Sequence, residues 1–543
     1  MKSKKINILI KHTSAPVSFN KKNGYSISVY EQTLLSLQVK DRKFFSFSPQ
    51  CISLVYKCSH CIEKVTIIIG RNSIEARYVK IANEWALLSF DISPYSSILY
   101  NCLRTNLNFL QIALHPMPMS PAIQFHIKEL YFRPFTDIEI TKNNTRTLYN
   151  KRKDLSHINL YKYLKYTTYI CSIEQVDVLD DFIDIKGNTP VDNLEYFLCE
   201  IPVFSEFSID EFGKKINISH NESGDFAIRA PRLTEEYGDM YDSLYSRWAI
   251  VIQIDGVFYL ASHARYAEDI VSSGEIPAIT PRSKKGLGDF SLDKFDSDLD
   301  EHNISYITVN IYINDFLYYK PESCNGDVIP FEYNGNEYYA DKNKILEYDS
   351  IMQSAYKRNI IVSAIISIYP ENSSKDKTIG CIMEHPDYEI SGVYSMPNMT
   401  TLESLNMYAA SMDFLSSRYS RHDASYGHIH RWIVHKKIDA GVIWTNAGAK
   451  DVISYIDIYM KSLRIVYLTA KKYNKNTEVF VPFSHYWKDR LNYDCNNPTE
   501  MPDLLLLYSK KEGDFRWGVT HDDVDRYNNQ TNKEEYEVET YFK

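Results

Sequence analysis

A chain of 543 residues is too long for a single hydrophobic core, and its length implies about three domains. Its 61 Lys and Arg against 70 Asp and Glu give a net charge of −9 with no sustained basic stretch, so no nucleic-acid partner is expected. Hydrophobic residues at 44% and charged residues at 24% exclude global disorder, and the 43 Tyr suit either sugar-binding grooves or strand positions in a β-rich protein.

The amino terminus, from Met1 to His12, is basic, but its apolar run is too short for a signal-peptide core, which leads to the expectation of a cytoplasmic protein. No apolar run approaches the roughly 18 residues of a membrane span. The nine Cys are odd in number and scattered, which argues against a disulfide framework and fits a reducing compartment. Cys58-Ser-His-Cys61 has CxxC spacing with Cys51 nearby, but a zinc site needs a second ligand pair and none has suitable spacing. No metal and no cofactor are therefore expected, and the cysteines read as strand residues.

Residues 1–136 contain short alternating apolar segments: Tyr25 to Val29, Ile52 to Tyr56, Lys64 to Gly70, Ala86 to Phe90, Leu107 to Leu114 and Ile123 to Phe132. This pattern predicts a β-sandwich. Its last segment, Ile123 to Pro134, resembles the closing strand of carbohydrate-binding jelly rolls. The polar stretch Thr141 to Thr147 reads as a linker. A second β domain, Ig-like or particular to its family, is expected over 150–275. There Asp255-Gly256 between two apolar runs signals a hairpin.

From 276 onward strands alternate with helices. Strands are predicted at Ser305 to Ile313, Asn359 to Ile368, Ile429 to Ile438, Glu478 to Phe483 and Asp514 to Thr520. Helices are expected at Lys344 to Lys357 and at about 401–419, 450–472 and 501–511. Such repeats imply a parallel sheet with helices outside, and the lack of a Gly-rich phosphate loop after the first strand counts against a nucleotide-binding version. The expected fold is thus multi-domain: two amino-terminal all-β, sandwich-like domains and then an α/β domain over 276–543. No Gly-x-Ser-x-Gly elbow supports a serine hydrolase.

Several short motifs recur in order: Tyr245-Ser-Arg247, Ser283 to Leu287, Tyr333 to Tyr339, Ser417 to Ser420, Trp432-Ile-Val434, Trp444-Thr-Asn-Ala-Gly448, Ser462 to Tyr467, Ser484 to Trp487 and Asp514 to Val519. Together they resemble an uncharacterised bacterial family of glycoside-hydrolase-like TIM barrels over about residues 240–525. The resemblance implies a Gly-Asn-Glu segment after the fourth strand, with the Glu as acid and base, and a nucleophilic Glu near the seventh. Two carboxylates about 5 Å apart are what retaining hydrolysis requires.

This chain departs from that pattern. Lys436 and Lys437 stand where the Asn and Glu are expected, and a lysine cannot replace an acid/base carboxyl without a large pKa shift. Asp439, expected on the same strand face as Lys437, is the nearby substitute. In place of a His-Pro-Tyr-Pro stretch the chain has His521-Asp522-Asp523, which is either a polar loop at the strand's carboxyl end or a solvated turn. About six βα units are expected before Lys543, an incomplete barrel whose open edges a partner chain could complete.

The candidate catalytic residues are therefore Asp439 and His485. The candidate substrate-binding residues are Lys436, Lys437, Trp444, Asn446, Tyr486, Trp487, His521 and Asp522, of which the resemblance places Trp444, Asn446 and Trp487 around the cleft. Arg418, just before the fourth strand, either lines the cleft or ties a helix end to the sheet. Glu384-His385 and the loop up to Asn398 form a wall or lid on the same face. Three readings remain, all with an oligo- or polysaccharide as partner: an inactive carbohydrate-binding pseudoenzyme of surface-polysaccharide metabolism, a glycosidase with a re-sited acid, and a sugar transferase whose lysines hold an anionic donor.

Overall fold

A computed structural model of the protein describes residues 4–6, 8–22, 24–39, 50–60, 62–79, 82–95, 110–117, 121–154, 158–236, 238–267, 270–390, 392–483, 505, 507, 508, 511 and 512. The chain divides into two compact units, 1–144 with 389–392, and 145–388 with 393–543. Among the described residues no helix is long and apolar enough to cross a membrane.

Among the described residues the first unit holds two antiparallel sheets of six and five strands. One runs in the order Val17–Asn20, Gly24–Val29, Ile123–Arg133, Cys51–Cys58, Ala82–Asp91, with Lys4–Ile6 paired on Ile123–Arg133. The other runs Ile8–Thr13, Thr33–Val39, Leu110–Pro116, Ile62–Ile69, Asn72–Val79. Alternation places Ile27, Val29, Leu54, Phe125 and Ile127 of the first sheet in one core with Leu35, Leu37, Val65, Ile67 and Ile112 of the second. This is the face-to-face packing of a sandwich. Cys51 and Cys58 are buried strand residues, and burial pushes the Cys51 thiol up to about 12. Cys61 lies outside the described residues.

The expected linker at 141–147 is instead the middle of a helix, Asp137–Asp154. Its start is a capping box: the Glu139 amide donates to Thr136 Oγ1, and the Thr136 amide donates back to Glu139 Oε2. Glu139 is further gripped by both terminal nitrogens of Arg133. Polar composition hid the helix, because its apolar positions are few.

In the second unit, strands Ser172–Val178, Phe182–Asn188 and Asp225–Pro231 form one sheet, and Lys215–Asn217, Glu195–Ile201, Arg247–Ile254 and Val257–Leu260 another. The expected hairpin is present: Ile254 pairs with Val257, and Asp255 and Gly256 both have positive φ, 51° and 79°, as a type I′ turn requires. One apolar core runs from these sheets into the βα region, joining Trp248 and Ile250 with Ile311, Ala364 and Ile456.

The βα region carries a parallel sheet of five strands in sequential order, β1 (Gly286–Leu287), β2 (Tyr306–Tyr312), β3 (Ile361–Ser367), β4 (Arg431–Val434) and β5 (Glu478–Phe480). Helices α1 (Leu292–Glu301), α2 (Lys342–Lys357), α3 (Leu402–Arg418) and α4 (Val452–Tyr473) alternate with the strands. Asp341, Thr401 and Asp451 begin α2, α3 and α4 by accepting amide hydrogen bonds at the N-cap. The described strands form an unclosed sheet. The sixth strand expected at Asp514 to Thr520 lies outside the described residues.

Candidate functional site

In a sequentially ordered parallel sheet with helices outside, the strand ends and following loops at the carboxyl edge converge on one face. Here that edge gathers aromatic rings. Tyr312 ends β2, Tyr369 lies two residues beyond β3, and Tyr394 comes from the loop between β3 and α3. Tyr312 stacks on Tyr369 with ring centroids 4.1 Å apart and on Tyr394 at 5.6 Å. Tyr394 leans on Trp444 at 6.2 Å. All four rings are half-buried. Burial pushes the phenols of Tyr312, Tyr369 and Tyr394 up to about 12, so each keeps its proton at neutral pH.

Two ammonium groups rest on these rings. Lys436 Nζ lies 4.9 Å from the Tyr394 centroid and 5.3 Å from that of Tyr312, and donates to the Tyr312 hydroxyl at 3.3 Å. Lys437 Nζ lies 4.3 Å from the Trp444 centroid. Asp289, just past β1, accepts a hydrogen bond from the Asn310 amide. Its negative charge adds to the upward push on Tyr312 and Tyr369.

The lysines are held by an unusual backbone. β4 stops at Val434, and both His435 and Lys437 have positive φ, 66° and 45°. Non-glycine residues reach that region at a cost of about 1 kcal/mol or more each, so surrounding contacts must hold them there. Those contacts come from α4 and the 441–448 segment. Tyr459 Oη donates to the Val434 carbonyl at 3.1 Å, Ser462 Oγ lies 2.9 Å from His435 Nε2, and Tyr455 Oη donates to the Thr445 carbonyl at 2.9 Å. Tyr455, Tyr459 and Ser462 share one helix face by their spacing. Thr445 Oγ1 donates to the Lys436 carbonyl at 2.7 Å and accepts from the Lys436 amide at 3.3 Å.

Residues 277–529 match a family of unknown function, DUF5722. No curated protein matches the chain. Among solved structures, a β-glucuronidase from Bacteroides uniformis is similar at 12% identity over 86% of this chain and 48% of that one, with a TM-score of 0.21. The chain thus spans about half that enzyme's length. A family 29 carbohydrate-binding module from Piromyces equi is similar at 11% identity over 24% of this chain and 85% of that one, TM-score 0.17. The glycoside hydrolase domain of Endo-D from Streptococcus pneumoniae R6 is similar at 11% identity over 46% of this chain and 35% of that one, TM-score 0.17.

Of the residues expected from sequence in the DUF5722-matching region, Lys436, Lys437 and Trp444 meet at this mouth. Asn446 is fully buried, its amide donating to the Val442 carbonyl and its oxygen accepting from the Gly448 amide, so it shapes the loop beneath. Asp439 does not share a strand face with Lys437, because the strand ends three residues before Lys437. It sits in the short 3-10 turn Ile438–Ala440, 4% exposed. His485, Tyr486, Trp487, His521 and Asp522 lie outside the described residues.

Arg418 forms a two-pronged ion pair with Asp349, at 2.8 and 2.7 Å, and so ties α3 to α2 instead of to the sheet. Glu384 and His385 are buried, and of that loop it is Tyr394 that reaches the mouth. Among the described residues, Asp298, Glu301 and His302 of α1 and its end are a group with metal-ligand spacing, and two of the three are solvent-exposed. Tyr312, Tyr369 and Tyr394 were missed in the sequence. The signal for two of them is position, since each ends or closely follows a predicted strand.

Proposed function

We propose that this protein binds an oligo- or polysaccharide at the carboxyl-edge mouth and does not run two-carboxylate retaining hydrolysis through the fourth-strand position. The observation that carries the reading is the set of four half-buried rings, Tyr312, Tyr369, Tyr394 and Trp444. Ring faces pack on the apolar C–H faces of sugars, while protonated phenols donate to hydroxyls at the rim. Lys437 stands where the resemblance expects the acid, and a carboxyl is what protonates a leaving oxygen. Asp439 is buried below the loop, which speaks against its serving as a re-sited acid. A role in surface-polysaccharide metabolism fits a glycan partner.

One observation favours a second reading, a sugar transferase. Among the described residues neither Lys436 nor Lys437 has an ion-pair partner, and adjacent ammonium groups suit an anionic donor better than a leaving-group oxygen.

The test is calorimetric titration of the full chain with oligosaccharides, alongside a panel of aryl glycosides. Trp444→Ala and Tyr394→Ala should each weaken binding at least tenfold, about 1.4 kcal/mol, with no glycoside turnover. Absence of any sugar binding would sink the reading. Turnover that disappears in Asp439→Asn would replace it with hydrolysis, and stabilisation by sugar nucleotides alone would favour the transferase.

A further inference from the structure

From the distribution of charge around the mouth we infer that the sugar it takes is acidic, with its anionic group received by Lys436 and Lys437. This rests on the reading of the mouth as a sugar site and deepens it. Among the described residues several buried or half-buried lysines pair with carboxylates, Lys450 with Asp387 at 2.7 Å, Lys472 with Asp413 at 2.8 Å and Lys344 with Glu347 at 2.8 Å, while buried Lys461 donates to the Ser205 carbonyl. Lys436 and Lys437 differ. Lys436 is half-buried and Lys437 exposed; among the described residues neither has a carboxylate partner, and their ammonium groups meet ring faces and, for Lys436, the Tyr312 and Tyr394 hydroxyls.

Such cation–π contacts are weaker than charge-assisted hydrogen bonds to an anion, so exchanging ring for anion is favourable and uncovers the rings for stacking. The ammonium groups of Lys436, over Tyr312 and Tyr394, and of Lys437, over Trp444, draw an anion to the ring cluster. The whole chain carries −9, so the attraction is local and does not come from a general positive field. The Thr445 clamp on the Lys436 amide and carbonyl, with the positive φ of Lys437, fixes where the two stems emerge. The shared chemistry is a carboxylate, sulfate or phosphate on a sugar ring.

The experiment titrates the full chain with an oligogalacturonate, a sulfated oligosaccharide, a neutral xylo-oligosaccharide of matched length and inorganic phosphate, at 20 and 200 mM NaCl. An acidic oligosaccharide should bind at least tenfold tighter than the neutral one at low salt, with the advantage shrinking at high salt. In Lys436→Gln/Lys437→Gln the acidic and neutral ligands should bind alike, whereas Lys436→Arg/Lys437→Arg keeps the preference. The arginine pair controls for misfolding, and thermal unfolding of both variants is measured alongside. Equal or tighter neutral binding, or a preference that survives the glutamine pair, overturns the inference and leaves the sugar site standing. Phosphate binding as tight as either acidic oligosaccharide and insensitive to Trp444→Ala overturns it as well, making the mouth an anion site. No binding of any oligosaccharide overturns both readings.

Discussion

Lysine is an ordinary surface residue, and what sets Lys436 and Lys437 apart is the backbone that presents them. His435, between β4 and the lysines, is the anchor: it is 1% exposed, and its Nε2 meets Ser462 Oγ at 2.9 Å. Burial holds its pKa down to about 3, and His430 nearby is held at about 4. Both stay neutral in the folded state while their unfolded counterparts take up a proton near pH 6.5. Stability is therefore complete above about pH 6.5 and falls as the pH drops toward the folded values, by up to about 1.4 kcal/mol per pH unit for each histidine. Urea unfolding at pH 7.5 and 5.0 checks this. His435→Gln should lower stability at pH 7.5 and reduce the loss on going to pH 5.0, and an undiminished loss in the variant would assign the pH dependence elsewhere.

At the scale of elements, most of the helices and strands were readable because their apolar spacing is regular. The periodicity that predicts helices at 344–357, 401–419 and 450–472 corresponds to α2, α3 and α4 within a few residues. The buried strand expected at Asn359 to Ile368 contains β3, which is buried on both faces save Ile365. Two elements were misread for identifiable reasons. Within the helix Asp137–Asp154 the polar composition of 141–147 reads as a linker, although Thr136-Asp-Ile-Glu139 spells out a capping box. Thr136→Ala should destabilise this helix by about 1 kcal/mol, read as a shift in the urea midpoint, and Thr136→Ser should restore it. The strand expected at Ile429 to Ile438 ends at Val434, since the turn after it needs positive φ at residues that carry no glycine signal. That shortening takes Asp439 out of the strand and into the buried 3-10 turn Ile438–Ala440.

Across the whole second unit, the conspicuous device is a buried charge cluster. Arg247, from the strand Arg247–Ile254, is 2% exposed and meets Glu512 at 3.0 Å and Asp457 of α4 at 3.1 Å. Tyr163 Oη donates to Glu512 at 2.7 Å. Burial raises the Glu512 pKa, opposed by the Arg247 charge. Removing one member leaves the others charged in a low-dielectric interior, so Arg247→Met should cost about 3–5 kcal/mol. Arg247→Met/Glu512→Leu should cost less, because it removes opposite charges together, and equality of the single and double variants in denaturant unfolding would rule out the coupling. The sequence by itself determined the β-rich amino-terminal region, the βα alternation after it and the hairpin at Asp255-Gly256, because each depends on local spacing or residue identity. Only the tertiary structure decided that Tyr312, Tyr369, Tyr394 and Trp444 meet, that Asn446 and Asp439 are buried, and that Arg247 finds Glu512. Those partners are tens to hundreds of residues apart in the chain, and no local pattern encodes a juxtaposition that arises only when parallel strands align their carboxyl ends.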